Sequence, residues 1–131
     1  MSLLAPNVGL AKIAQLVLAP TLTAKLFSNN ITPAAGDTAA SYDVVVGGGY
    51  ANKSLTFANW SITNGVALYN AAQDWNFTGV TNAPGTVYGY YIVDAANVVI
   101  WAERFAAGVL PFTPVANSLI RVTPRIVFAS S

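Results

Sequence analysis

Five carboxylates in this 131-residue chain are candidates for acid–base chemistry: Asp37, Asp43, Asp74, Asp94 and Glu103. Two carboxylates facing each other across a cleft would serve glycoside hydrolysis, one as acid and the other as nucleophile or base. Nothing in their spacing pairs any two. Asp74 and Asp94 fall where turns are expected, a setting in which Asp braces the local backbone. Histidine and cysteine are absent. The first absence removes the usual base near neutral pH and the commonest metal ligand. The second removes thiolate nucleophiles and, with histidine gone too, the usual zinc sites. No Asp-x-Asp-x-Asp cluster offers oxygens to calcium. Gly47-Gly48-Gly49 lacks the spacing of a phosphate loop, and no helix is expected after it. The chain therefore reads as a non-enzymatic protein with no catalytic, metal or cofactor site.

The aromatic residues are the other candidates. Tyr88, Tyr90 and Tyr91, with Trp60, Trp75 and Trp101, would suit a sugar-binding platform, but alternating aromatics in β proteins more often fill a core or an interface. Glu103 and Arg104 are adjacent, so on a strand they point to opposite faces. One of them can meet water while the other needs a partner or a subunit boundary. The six basic residues, Lys12, Lys25, Lys53, Arg104, Arg121 and Arg125, are scattered and the net charge is +1. Even Arg121 and Arg125, four apart and on one face of a regular strand, make no footprint for nucleic acid. Charged residues are only 8% of the chain, against roughly 25% in an average globular protein. So few charges imply that much of the surface is covered by other subunits.

The elements that would position these residues are mostly strands. Val87 to Val93 and Val98 to Phe105 flank Asp94-Ala95-Ala96-Asn97, which reads as a β-hairpin. Neither face of its first run is polar, so the hairpin is expected at the centre of a sheet, covered on both sides. Thr21 to Phe27 alternates, with Leu22, Ala24 and Leu26 on one face. Ser41 to Val46 is expected to be a strand that bends at the three glycines and resumes from Tyr50 to Phe57. Trp60 to Thr63 and Val66 to Ala71 flank Asn64-Gly65, a strong tight-turn signal. Trp75 to Val80 is a further strand, followed by a turn around Pro84-Gly85. After the hairpin comes a loop punctuated by Pro111 and Pro114, then a strand region from Ser118 to Phe128 that Pro124 confines to an edge or bulge. Residues 1–20 are expected to form an N-terminal arm or short helix, with Leu10, Ile13 and Val17 on one face, Asn7 as its cap and Pro20 as its stop. Residues 21–131 are expected to form a single β-sandwich domain. The expected fold is all-β: an antiparallel sandwich or jelly-roll-like barrel of about eight short strands. Val8 to Pro20 is too short and too polar for a membrane span. No basic region precedes it, so no secretory leader is expected.

Leu26-Phe27-Ser28-Asn29-Asn30-Ile31-Thr32-Pro33, Gly49-Tyr50-Ala51, Val87-Tyr88-Gly89-Tyr90-Tyr91 and Trp101-Ala102-Glu103-Arg104-Phe105 occur in that order. Together they resemble small structural proteins of tailed bacteriophages, of the kind encoded near the major capsid protein, over most of the chain from Thr21 onward. The resemblance implies a capsid decoration (cement) protein: β-rich, a homo-oligomer with a trimer favoured, located on the virion capsid surface and bound to the major capsid protein. Neither nucleic acid nor membrane is an expected partner. A tail, neck or fibre component that binds host glycans is the alternative. The interface residues expected on this reading are Tyr88, Tyr90, Trp101, Glu103, Arg104 and Phe105 of the hairpin, with Leu10, Ile13 and Val17 of the N-terminal segment.

Overall fold

A computed structural model describes residues 6–107 and 112–128. Met1 to Ala5 of the expected arm and Pro111 of the expected loop lie outside the described residues. Among the described residues one α-helix, α1 (Asn7–Leu18), precedes nine strands: β1 (Leu22–Phe27), β2 (Lys53–Leu55), β3 (Trp60–Thr63), β4 (Val66–Tyr69), β5 (Gln73–Asn76), β6 (Gly89–Val93), β7 (Val99–Arg104), β8 (Leu119–Val122) and β9 (Arg125–Val127). They make three antiparallel sheets, ordered β2-β1-β6-β7, β3-β4-β9 and β5-β8. The all-β expectation holds, with the strands in three small sheets around a shared core.

That core follows from alternation. Leu22, Ala24 and Leu26 of β1 turn inward with Leu55 and Ile92 of the same sheet and meet Trp75, Ile120 and Ile126 from the other two. Each fully buried leucine or isoleucine contributes about 1.5–3 kcal/mol relative to exposure. β6 is buried at every position, because both of its faces are apolar and both are covered. Tyr90 and Ile92 face the main core, while Tyr91 and Val93 face a second cluster with Phe27 and Tyr42. There the Tyr42 ring stacks on Tyr91 at 4.9 Å and lies 5.1 Å from Phe27. The loop from Ser28 to Asp43 thus lids the outer face of the first sheet. The hairpin is central only through β6; β7 is a sheet edge.

The expected strand from Ser41 to Val46 is absent as a regular element. A short 3-10 turn, Ala39–Ser41, comes first, and the segment then meets β1 through one isolated bridge, Phe27 to Val44. Ser28 N–H donates to Asp43 O at 2.7 Å and Val45 N–H to Leu26 O at 3.0 Å. β2 pairs with β1 only at Leu22 to Ala24, so the Leu26 amide would lack a partner on that side. The Tyr50 hydroxyl fills the gap, accepting from Leu26 N–H at 3.0 Å and donating to Asn52 Oδ1 at 2.7 Å. The three glycines do form a sharp bend, with φ of 83°, 62° and 80°. Any side chain there would meet the 78–82 segment, since a Cβ on Gly48 would sit 2.7 Å from Gly79 O.

Asn64-Gly65 makes the expected tight turn, with φ of 50° and 80°. Pro124 does more than mark an edge. It has no N–H to offer a ladder, and the chain changes sheet there, β8 joining β5 and β9 joining β4. Arg121 and Arg125 therefore belong to different sheets and do not share the face of one strand. Asp74 lies in β5, not in a turn. Asp94 does brace a turn, its Oδ1 accepting from Ala96 and Val98 N–H, each at 2.9 Å.

Candidate interaction surface

The hairpin residues divide between the two faces of β7. On the outer face, Arg104 Nη1 donates to Ile31 O at 2.9 Å, and its guanidinium carbon lies 5.1 Å from the centre of the Tyr88 ring. The contact ties the Ser28–Asp43 loop to the sheet and adds a cation–π attraction. On the other face, Glu103 Oε1 accepts from Trp101 Nε1 at 2.9 Å and from Arg125 Nε at 3.5 Å. Glu103 and Arg104 each have a partner within the chain, and neither depends on a subunit boundary. Tyr90 is buried beneath this face; burial, with the Glu103 charge a smaller cause, pushes its phenol up to about 12. Phe105 is half-buried and walls an apolar hollow of about 210 Å³ with Phe112, Leu119 and Ile120.

The N-terminal residues are placed elsewhere, because α1 packs on β3. Pro6, not Asn7, holds the cap position, and Asn7 Nδ2 instead donates to Asn64 Oδ1 at 3.1 Å, joining the helix start to the β3–β4 turn. Leu10 points inward, Val17 is half-buried and Ile13 is 48% exposed. The inward stripe is Leu10, Ala14 and Leu18. Sequence reading missed the opposite stripe, Val8 at 81% and Leu16 at 67% exposure with Lys12 between them. Its signal was present as the i, i+4, i+8 spacing of those three residues.

Of the six aromatic platform candidates, Trp60, Trp75, Tyr90 and Tyr91 are buried; Tyr88 and Trp101 are half-buried. Asp74 and Arg121 form an exposed two-bonded ion pair at 2.6 and 2.8 Å, and the guanidinium holds the carboxyl below the usual range. Such pairs contribute little to stability. Asp37, one of the five carboxylates, accepts through Oδ2 from both Ala34 N–H and Tyr42 O–H at 2.8 Å. It lines a groove of about 350 Å³ with Pro33, Ala34, Val99, Trp101 and Ala102. Among the described residues no three of His, Cys, Asp and Glu come together as a metal site, and no helix is long and apolar enough to cross a membrane. No protein-family model, no curated protein and no solved structure matches this chain.

Proposed function

We propose that this protein is a structural component of a tailed-bacteriophage virion: a capsid decoration protein that binds as a homo-oligomer, a trimer in the favoured form, between subunits of the major capsid protein. The observation that carries the reading is the outward stripe of Val8, Ile13 and Leu16 around Lys12, on a chain whose core is already complete. Burying such a stripe against another subunit is favourable in proportion to its area. The motif order from Leu26 to Phe105 supports the same reading. A cement protein needs a rigid β body and a weakly charged contact surface. It acts by repetition, since many modest contacts held on one lattice act together far more tightly than each alone. Binding the assembled capsid also stabilises it by mass action.

The test is the copy number of this protein relative to the major capsid protein in purified virions, by quantitative mass spectrometry. A ratio of about one is expected for lattice occupancy, where every site is repeated with the subunit. A few dozen copies per particle would instead assign the protein to tail, neck or fibre and make host-glycan binding the leading reading. Absence from the particle would overturn the virion role.

A further inference from the structure

β7 is the longest strand at any sheet edge among the described residues, six residues against three or four for β2, β3, β5, β8 and β9. Natural edges are blunted by shortness, by charge or by a covering element. β2 is short and carries Lys53, and α1 lies on β3. β7 bulges at Ile100, where its register with β6 shifts by one residue, but at Trp101 and Ala102 the ladder is regular and the edge uncharged, and its two charges, Glu103 and Arg104, are both engaged within the chain. Arg104 draws the Ile31 segment alongside, and the groove lies between Pro33–Asp37 and Val99–Ala102.

The ladder phase shows what the edge presents. Opposite residues in an antiparallel pair alternate between hydrogen-bonded and non-bonded positions. Phe105 N–H donates to Tyr88 O, so in the same register Glu103 with Tyr90 and Trp101 with Ile92 are bonded pairs, and Ala102 with Tyr91 is not. Ala102 therefore turns its N–H and C=O away from β6, toward the groove that it lines. On the opposite wall, Asp37 accepts from Ala34 N–H and Tyr42 O–H through Oδ2 alone, and Oδ1 has no hydrogen-bond or ion-pair partner among the described residues.

We infer that this groove is a docking site for an extended segment of a partner protein carrying a lysine or arginine, which adds a strand to β7 through Ala102 and places its cation on Asp37 Oδ1. Main-chain pairing supplies attraction in strand addition and side-chain pockets supply selectivity; here the selectivity is charge complementarity. A second copy of β7 fits poorly. It would bring another Asp37-bearing loop to the seam, and its one cation, Arg104, is already held by Ile31 and Tyr88. The inference stands on the groove alone and does not depend on the virion reading.

The experiment titrates the isotope-labelled full chain with two capped pentapeptides, Thr-Val-Lys-Val-Thr and Thr-Val-Glu-Val-Thr, following amide shifts and hydrogen exchange. The lysine peptide is expected to shift and protect the Ala102 amide, and to bind about tenfold more weakly to Asp37→Asn, a loss typical of a charge-assisted contact made neutral. Asparagine keeps an acceptor for Ala34 and Tyr42, so the fold is retained. Equal binding of both peptides, or no change at Ala102 at millimolar peptide, overturns the inference even without the variant. Protection of Ala102 that grows with protein concentration in the absence of peptide overturns it in favour of a second copy.

Discussion

Gly89→Ala tests how tightly the centre of the first sheet is built. Gly89 has ordinary strand geometry, so the demand for glycine comes from space and not from backbone angle. A Cβ added there would collide with Glu103 O and would lie 2.6 Å from two ring atoms of Phe27. Neither neighbour can give way cheaply. Glu103 O is turned toward β6 by the ladder phase, and Phe27 is fully buried between Tyr42 and Tyr91. Overpacking of this kind costs typically 1–3 kcal/mol, and two held obstacles place the loss near the top, at about 3 kcal/mol. For a domain of this length that corresponds to a fall of about 10 °C in Tm, or of about 1.5 M in the urea midpoint. Circular dichroism during urea and thermal unfolding reads both. Gly36→Ala is the control: nothing lies within 4 Å of its Cβ, so its midpoint should hold or rise slightly as the unfolded chain loses freedom. Phe27→Leu removes the ring obstacle, so the double variant should cost less than the sum of the two single changes. A loss below about 1 kcal/mol for Gly89→Ala, or strict additivity with Phe27→Leu, would refute the reasoning.

Two further outcomes follow from the tyrosines. Tyr50→Phe leaves the Leu26 amide without its acceptor, a loss of about 1–3 kcal/mol for a buried donor. Hydrogen exchange should quicken selectively at Leu26, and unchanged protection there would show that the hydroxyl does not complete the ladder. Burial, first, raises the phenols of Tyr42, Tyr50 and Tyr91 above their ordinary value, with Tyr90 pushed up to about 12. The folded state then holds protons that the unfolded chain releases above about pH 10, so this stability is full below that pH and falls as pH rises past it. Phenolate absorbance from these four residues should appear together with loss of the circular dichroism signal; independent ionisation near the ordinary value in the folded chain would contradict the burial.

The strands with local signals were the legible ones. β1 alternates, β3 and β4 flank Asn64-Gly65, and β6 and β7 flank a turn braced by Asp94, so each element or its turn is written in adjacent residues. The segment from Ser41 to Val46 carries the same apolar signature but not the same structure. Its place beside β1 is shared with β2 and with a side-chain hydroxyl from Tyr50. A ladder completed by a distant tyrosine leaves no mark in a six-residue window. Pro124 was legible as a breaker, but not as the point where the chain leaves one sheet for another. That depends on β4 and β5, which lie far back in the sequence.

The candidate surface shows the same division more sharply. Periodicity put Leu10, Ile13 and Val17 on one helix face, yet α1 turns Leu10, Ala14 and Leu18 inward. A helix apolar on two sides has no preferred face until a neighbour chooses one, and here β3 and the Asn7–Asn64 bond choose. What remains outside includes Val8, Ile13 and Leu16 as well as Asn7, Lys12 and Gln15. Likewise the hairpin's composition places it at a sheet centre, but a sheet ends where no further strand arrives. The last segment of the chain, the remaining candidate neighbour, is divided at Pro124 between β4 and β5. β7 is left as an edge for that reason, and Asp37 comes to face it because distant residues hold the intervening loop, Arg104 through Ile31 O and Tyr42, stacked on Tyr91, through its hydroxyl on Asp37. Apolar surface and open edge thus have one origin: they are what the core, once complete, did not use.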